Sequence, residues 1–135
     1  MKKVIGIGNT GGFVADQFSA YPEYRVYKVS ETIADDVATL FIPPQPSMEE
    51  YEKEFDDKEA ALYFRSLTPG DEVLVVIEGG DPLGGILLRL LHLLRDSQIY
   101  ILYIRPERQL ISSLQQRDDK IAFGILQEYA RSGLF

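Results

Sequence analysis

The sequence predicts one domain over residues 1–135: a three-layer α/β/α fold with a mostly parallel five-stranded sheet in the strand order 3-2-1-4-5. Two observations predict it. Short apolar, β-branched runs alternate with segments of helical periodicity, which is typical of a parallel sheet with helices on both faces. Two of these runs, starting at Val4 and Val73, end in glycine clusters that open a helix. In this strand order both clusters lie where the sheet order reverses, which is where such folds bind ligands.

The first half of the chain supplies three of the predicted strands. Residues 4–8 form an unbroken apolar run, which indicates a strand buried on both faces. A helix opens at Gly11-Gly12 and ends before Pro22, which cannot continue it. Residues 24–29 alternate in polarity and predict a second strand, and residues 37–42 predict a third that ends at a proline-rich loop.

The second half supplies the other two strands. Ser47, three residues before Glu50, has the spacing of a capping box and opens an acidic helix that breaks near Asp56-Asp57. Residues 73–78 predict a strand, 86–94 a helix and 98–104 a last strand. A final helix is predicted over 107–132, with Pro106 at its first position and with the charged run 117–120 on a solvated face.

Composition excludes several classes of function. The formal charge is −7, from 21 acids and 14 bases, which argues against a nucleic-acid or anionic-membrane partner. The chain has no cysteine and one histidine, so thiolate or histidine metal sites and a Ser-His triad have no support. No apolar stretch of about 18 residues is present, and we expect a cytoplasmic protein.

The first glycine loop has the residues of a phosphate site. Its glycines at positions 6, 8 and 11 fit the G-x-G-x-x-G pattern between a strand and a helix. Glu31 follows the second strand at the distance where dinucleotide-binding folds place a ribose-binding acid, which suggests NAD. The alternative is that these glycines only allow close packing. The candidate phosphate-binding residues are Gly8, Asn9, Thr10, Gly11 and Gly12.

The second glycine loop departs from a Walker P-loop, because Ile86 stands where the lysine should follow. Glu78 and Asp81 bring negative charge to this loop, and two like charges 4 Å apart cost about 4 kcal/mol at an effective dielectric of 20. Asp81 before Pro82 suits either a helix N-cap or a ligand of Mg²⁺. The candidate phosphate-binding residues are Gly79, Gly80, Asp81, Gly84 and Gly85.

Together, the two loops resemble the nucleotide-binding half of the tubulin/FtsZ family, above all its divergent phage- or plasmid-borne relatives. The family signature G-G-G-T-G-[ST]-G corresponds to positions 79–85 here, with Asp81-Pro82-Leu83 in place of the hydroxyl residues. The strand end at 103–106, Tyr-Ile-Arg-Pro, is similar to the family's Thr-Arg-Pro. Residues 122–126 are similar to the helix that follows it.

The resemblance implies GTP or GDP bound with Mg²⁺ on the backbone amides of both loops, and self-association into an oligomer or filament. Arg105 would contact phosphate or a partner, although an ion pair with a nearby Glu fits equally well. The family's purine-contacting asparagines and second domain have no counterpart in these residues, so we expect no self-sufficient GTPase, and a fragment that lacks the second domain stays open beside a single-domain protein. A Rossmann-type NAD(P)-binding or regulatory domain and a ligand-free interaction module remain alternatives.

Overall fold

The computed structural model describes residues 2–32, 39–67 and 69–133. Its five strands are all parallel and lie in the order β3-β2-β1-β4-β5, which confirms the predicted fold class and strand order. The predicted third strand is present over residues 39–41, and positions 37 and 38 of that prediction lie outside the described residues. The strands are β1 (Lys2–Ile7), β2 (Tyr24–Ser30), β3 (Thr39–Phe41), β4 (Glu72–Glu78) and β5 (Gln98–Ile104).

Within these described ranges, five α-helices and two 3₁₀ helices accompany the sheet. The α-helices are α1 (Gly8–Phe18), α2 (Met48–Glu54), α3 (Asp57–Tyr63), α4 (Leu87–Leu93) and α5 (Ser113–Ser132), and the 3₁₀ helices are Pro82–Ile86 and Arg108–Leu110. Alternate residues of β1 and β4 face opposite sides of the sheet. Val4 and Val76 pack with Ala15 of α1 on one side, whereas Ile5 and Ile77 join the larger core beneath the other helices.

The predicted break in the acidic helix is present, and each half has its own cap. Ser47 Oγ accepts a hydrogen bond from the backbone N–H of Glu50 at 3.2 Å and starts α2. The carboxylate of Asp56 accepts the N–H groups of Lys58 and Glu59 at 3.0 and 3.1 Å and starts α3. Side-chain acceptors at these positions satisfy donors that have no partner within the helix.

The predicted start of the last helix is wrong. Pro106 lies in a non-helical segment, and α5 begins at Ser113. Ser112 caps the helix, because its hydroxyl accepts the N–H of Gln115 while the Gln115 side chain accepts the N–H of Ser112. This reciprocal capping box fixes the start more strongly than a proline with a favourable φ does. Gly133, with φ 84°, ends the helix as predicted.

Candidate functional site

The N-terminus of α1 lies at the carboxyl edge of the sheet, and its N-cap residue makes no side-chain hydrogen bond to it. Within the described segment 2–32, Ile7 provides no side-chain acceptor there, and the first turn contains no acidic residue. Gly8 begins the helix with φ 77°, a conformation that glycine adopts without strain. The first N–H groups of a helix lack intrahelical acceptors and carry a partial positive charge. The backbone here can therefore donate hydrogen bonds to an anion.

A cavity of about 280 Å³, which we call the α1 cavity, opens between this N-terminus, the carboxyl end of β2 and the first residue of β3. Its size is near the lower limit of about 300 Å³ for small-molecule sites. Lys28 and Asp16 form an ion pair on its wall, with Nζ and Oδ1 3.2 Å apart. The other polar side chains that line it are those of Asn9, Ser30, Thr32 and Thr39.

Thr39 Oγ1 is the one buried side-chain polar atom without a hydrogen-bond partner in the part of the chain that the structure describes. Leaving a buried hydroxyl unsatisfied costs about 1–3 kcal/mol. Because Thr39 lines the α1 cavity, a polar group of a ligand that reached this oxygen would recover that free energy. The cavity thus combines donors for an anion with a wall residue whose buried hydroxyl lacks a partner.

Replacing Thr39 with valine is expected to leave the stability unchanged or to raise the free energy of unfolding by about 1 kcal/mol, because it removes an unsatisfied oxygen at nearly constant shape. Urea denaturation of the ligand-free protein would measure it. Thr32→Val, an exposed position on the same cavity, should change stability by less than about 0.5 kcal/mol. A loss above about 1 kcal/mol for Thr39→Val would show that the hydroxyl has a stabilising partner.

Asp81 caps the 3₁₀ helix of the second glycine loop. Its Oδ1 accepts the N–H of Leu83 at 3.0 Å, Pro82 is the first helical residue, and Gly80 turns the chain with φ 89°. The sequence left a helix cap and a metal ligand as alternatives, and the structure shows the cap. Among residues 2–32, 39–67 and 69–133, no three His, Asp or Glu side chains are grouped so that they could hold a metal ion.

The two glycine loops lie against each other through Asp81. Its carboxylate packs on Gly8 so closely that a Cβ at residue 8 would overlap Oδ2. Burial, with smaller contributions from the carboxylates of Glu31 and Glu78, raises the pKa of Asp81 to about 6, against an opposing hydrogen bond from Leu83. An acidic side chain of the protein therefore occupies the second-loop side of the crevice, which we define as the space between the loops at Gly8 and Asp81.

Gly84 and Gly85 lie in the interface between helices. Gly85 contacts the backbone of α2, and a Cβ there would overlap the carbonyl oxygen of Met48. Gly84 faces α5, where an added Cβ would lie 3.7 Å from the Cβ of Ala122. Both residues are buried. The structure thus gives these two candidate phosphate-binding residues a packing role.

Behind the second loop, the buried carboxylate of Asp119 in α5 is the shared acceptor of a hydrogen-bond network. Its side chain is 3% exposed, and it accepts hydrogen bonds from the Tyr103 hydroxyl at 2.7 Å and from Arg105 Nη2 at 3.1 Å. A Cβ on Gly79 would overlap its Oδ1. Burial and the Asp119 hydrogen bond raise the pKa of Tyr103. The half-exposed guanidinium of Arg105 lies 4.2 Å from the centre of the Phe123 ring.

The interpretation of residues 117–120 as a solvated face is wrong for its two acids. As whole residues, Asp118 and Asp119 are 4% and 2% exposed. Arg117 pairs with Asp118 at 2.9 Å, and the partner of Arg105 is Asp119. A signal was present in the sequence, because position 119 shares the helical spacing of the buried residues 122 and 126. The expected Glu partner of Arg105 is therefore an Asp from α5.

Glu31 lies outside the lining of the α1 cavity. Its carboxylate accepts a hydrogen bond from the hydroxyl of Tyr51 in α2, and it is close enough to Asp81 to raise the pKa of that acid. Burial and this hydrogen bond raise the pKa of Tyr51. The candidate ribose-binding acid is thus placed between α2 and the second loop.

Comparison with known proteins adds no relative: no family model, curated protein or solved structure matches the chain. The fold class therefore rests on the sheet topology alone. The resemblance of the loops to the tubulin/FtsZ family stays a prediction. In the described ranges, no helix is both long and apolar enough to cross a membrane.

Proposed function

We propose that this chain is a nucleotide-binding domain that holds a phosphate on the N-terminus of α1 and the nucleoside in the α1 cavity. The observation that carries the proposal is the first turn of α1, which has no cap from the side chain of Ile7 and adjoins a cavity lined by Thr39, whose buried hydroxyl has no partner among the described residues. Backbone amides at a helix N-terminus bind phosphate. The hydroxyl-lined wall suits a ribose. The site lies at the carboxyl ends of β1 and β2, the edge where open α/β sheets bind ligands.

The loop pair and the Arg-Pro strand end favour GTP or GDP, with Mg²⁺ at Asp81, as in a self-associating protein similar to tubulin and FtsZ. The second loop weakens the binding, because Asp81 and Glu78 lie where a further phosphate would approach. A divalent cation would offset this repulsion, since carboxylate and phosphate oxygens are its usual ligands. We expect weak binding of guanine nucleotide and no efficient hydrolysis by this chain alone.

A Rossmann-type NAD(P) site is the second candidate. The position of the α1 cavity favours it, since this cavity lies between the first glycine loop and the end of β2, where such folds bind the ribose next to the pyrophosphate. The placement of Glu31 counts against it, because its carboxylate is bonded to Tyr51 instead of facing that cavity. Hydroxyls of Ser30 and Thr32 would then have to contact the ribose.

Isothermal titration with GTP, GDP and NAD⁺, each with and without Mg²⁺, would separate these candidates. We expect GTP and GDP to bind saturably and Mg²⁺ to increase their affinity. Saturable NAD⁺ binding without a response to guanine nucleotide would contradict the tubulin-like version and support the Rossmann-type one. A protein that responds to none of the three would contradict nucleotide binding itself and favour an interaction module on the same fold.

Asn9→Asp provides a test of the phosphate position. Asn9 is exposed in the first turn of α1. A new acid there should stabilise the helix by about 0.3–1 kcal/mol, yet weaken nucleotide binding about tenfold by charge repulsion, equivalent to about 1.4 kcal/mol. The matched control is Gln17→Glu, which adds the same charge at the other end of α1 and should leave affinity unchanged. Equal affinities for the two variants would place the phosphate elsewhere.

A further inference from the structure

We propose that two copies of this chain associate by antiparallel pairing of β5 with β5 around a two-fold axis, which gives a continuous ten-stranded sheet. Within the described chain β5 ends the sheet and pairs with β4 alone. Its sequence, Gln-Ile-Tyr-Ile-Leu-Tyr-Ile, contains no charge and no proline. Edge strands usually carry such residues, which block pairing with another chain. This edge lacks that protection.

The outer backbone groups of β5 are oriented for such pairing. The N–H of Gln98 and the C=O of Ile104 bond towards β4, to Asp71 and Gly79, each at 2.8 Å. Successive residues of a strand direct their backbone groups to opposite sides. The odd-numbered residues, Ile99, Ile101 and Tyr103, therefore point theirs away from β4, where the described segments place no further strand.

One register satisfies these groups symmetrically. With Ile101 opposite Ile101 of the second copy, Ile99 lies opposite Tyr103 of that copy, and three residue pairs exchange about six backbone hydrogen bonds. The same register places Tyr100 beside Leu102 of the second copy in a pair without backbone hydrogen bonds, where side chains approach most closely. Both side chains are now exposed, by 56% and 42%. In the dimer the Tyr100 side chain would cover Leu102 of the second copy, and the two-fold axis repeats this pair.

Charge also favours a second copy of the chain as the partner that pairs with the β5 edge. The chain carries a net charge of −7, so most contacts between two copies are repulsive, whereas β5 is neutral. The two-fold register pairs the uncharged residues of β5, Gln98–Ile104, only with one another, so no like charges meet along the strand. A two-fold pairing closes on itself and stops at a dimer.

Disulfide crosslinking tests the register, since the chain has no cysteine of its own. Tyr100→Cys and Leu102→Cys are purified separately and oxidised alone or mixed. Opposite residues without backbone hydrogen bonds have Cα atoms about 4.5 Å apart, within bridging range. The diagonal distance from position 100 to position 100 is about 7–8 Å, too long for a disulfide. Mixed oxidation should give mainly the heterodimer by mass spectrometry, and each variant alone little. Equal crosslinking of the single variants would overturn the register.

Sedimentation velocity over a range of concentrations tests the dimer itself. Wild-type protein should dimerise, and Leu102→Lys should raise the dissociation constant at least about tenfold by placing like charges at the edge. Leu62→Lys, at a 63% exposed position of α3, is the matched control and should behave as wild type. If the wild-type chain stays monomeric, the proposal is overturned. This holds both where β5 pairs with a strand of another protein and where it pairs with none. Equal effects of the two lysines would overturn it as well.

Discussion

Replacing Asp81 with asparagine is expected to stabilise the folded protein by about 3 kcal/mol above pH 6, at about 1.36 kcal/mol for each pKa unit. The pKa of Asp81 rises from 3.8 to about 6 on folding, chiefly through burial. Below about pH 4 the carboxyl is protonated in both the folded and the unfolded state, so its pKa shift does not change the free energy of unfolding. Between pH 4 and 6 the folded protein binds the extra proton, so stability falls as the pH rises, and above pH 6 the full cost of ionisation remains. Asparagine removes this cost and keeps the cap.

Urea denaturation of both proteins from pH 4 to pH 8 would measure this effect. The difference in the free energy of unfolding should grow from near zero at pH 4 to about 3 kcal/mol at pH 8. Asp56→Asn is the matched control, because Asp56 also caps a helix but is exposed. It should change stability by less than about 0.5 kcal/mol throughout. A pH-independent difference for Asp81→Asn would contradict the burial of its charge.

Replacing Gly85 with alanine is expected to lower the free energy of unfolding by about 3 kcal/mol, the upper end of the usual cost of overpacking. The new Cβ would overlap the backbone carbonyl oxygen of Met48, and no side-chain rotation can relieve that contact. The melting temperature should fall by about 10 °C for a domain of this size. Differential scanning calorimetry of the ligand-free protein would measure it.

Gly84→Ala is the control for this substitution, because it adds the same methyl group one residue earlier. Its Cβ would make an ordinary contact with Ala122 at 3.7 Å. Since alanine also restricts the unfolded chain, we expect an effect between zero and a gain of about 1 kcal/mol. Similar losses at both positions would mean that the approach of α2 to the second loop is not what requires glycine at position 85.

The fold could be predicted because its signals are local and repeated. Unbroken apolar runs and glycine clusters identify β1 and β4, and the rule that ligand loops flank a switch point gives the strand order. The caps at Ser47 and Asp81 were predictable for the same reason, since each depends on residues within one turn. The start of α5 was mispredicted where two local signals competed, and the Ser112 capping box prevailed over Pro106.

The candidate site was only partly predictable, because its decisive contacts join residues far apart in the sequence. Both glycine loops were found, but not that the carboxylate of Asp81 would pack on Gly8. The spacing of Glu31 predicts a ribose contact, yet the hydroxyl of Tyr51 takes its carboxylate. The acids of α5 were misassigned because a charged run ordinarily faces solvent, whereas here a helix delivers Asp119 to Tyr103 and Arg105. Such pairings follow from tertiary packing.

The central position of β1 has a consequence for the order in which the molecule assembles. On one side Lys2 pairs with Tyr24 within a compact β1-α1-β2 unit, and on the other it pairs with Glu72, which lies in the second half of the chain. Contacts between residues far apart in the sequence form slowly, because a large loop must close, at a cost in entropy, before the contacts stabilise the chain. The β1–β2 side should therefore assemble first and the β1–β4 side last. The crevice between the two glycine loops then comes into being only at the end of folding, so any nucleotide that bridges them would bind native protein and no earlier intermediate.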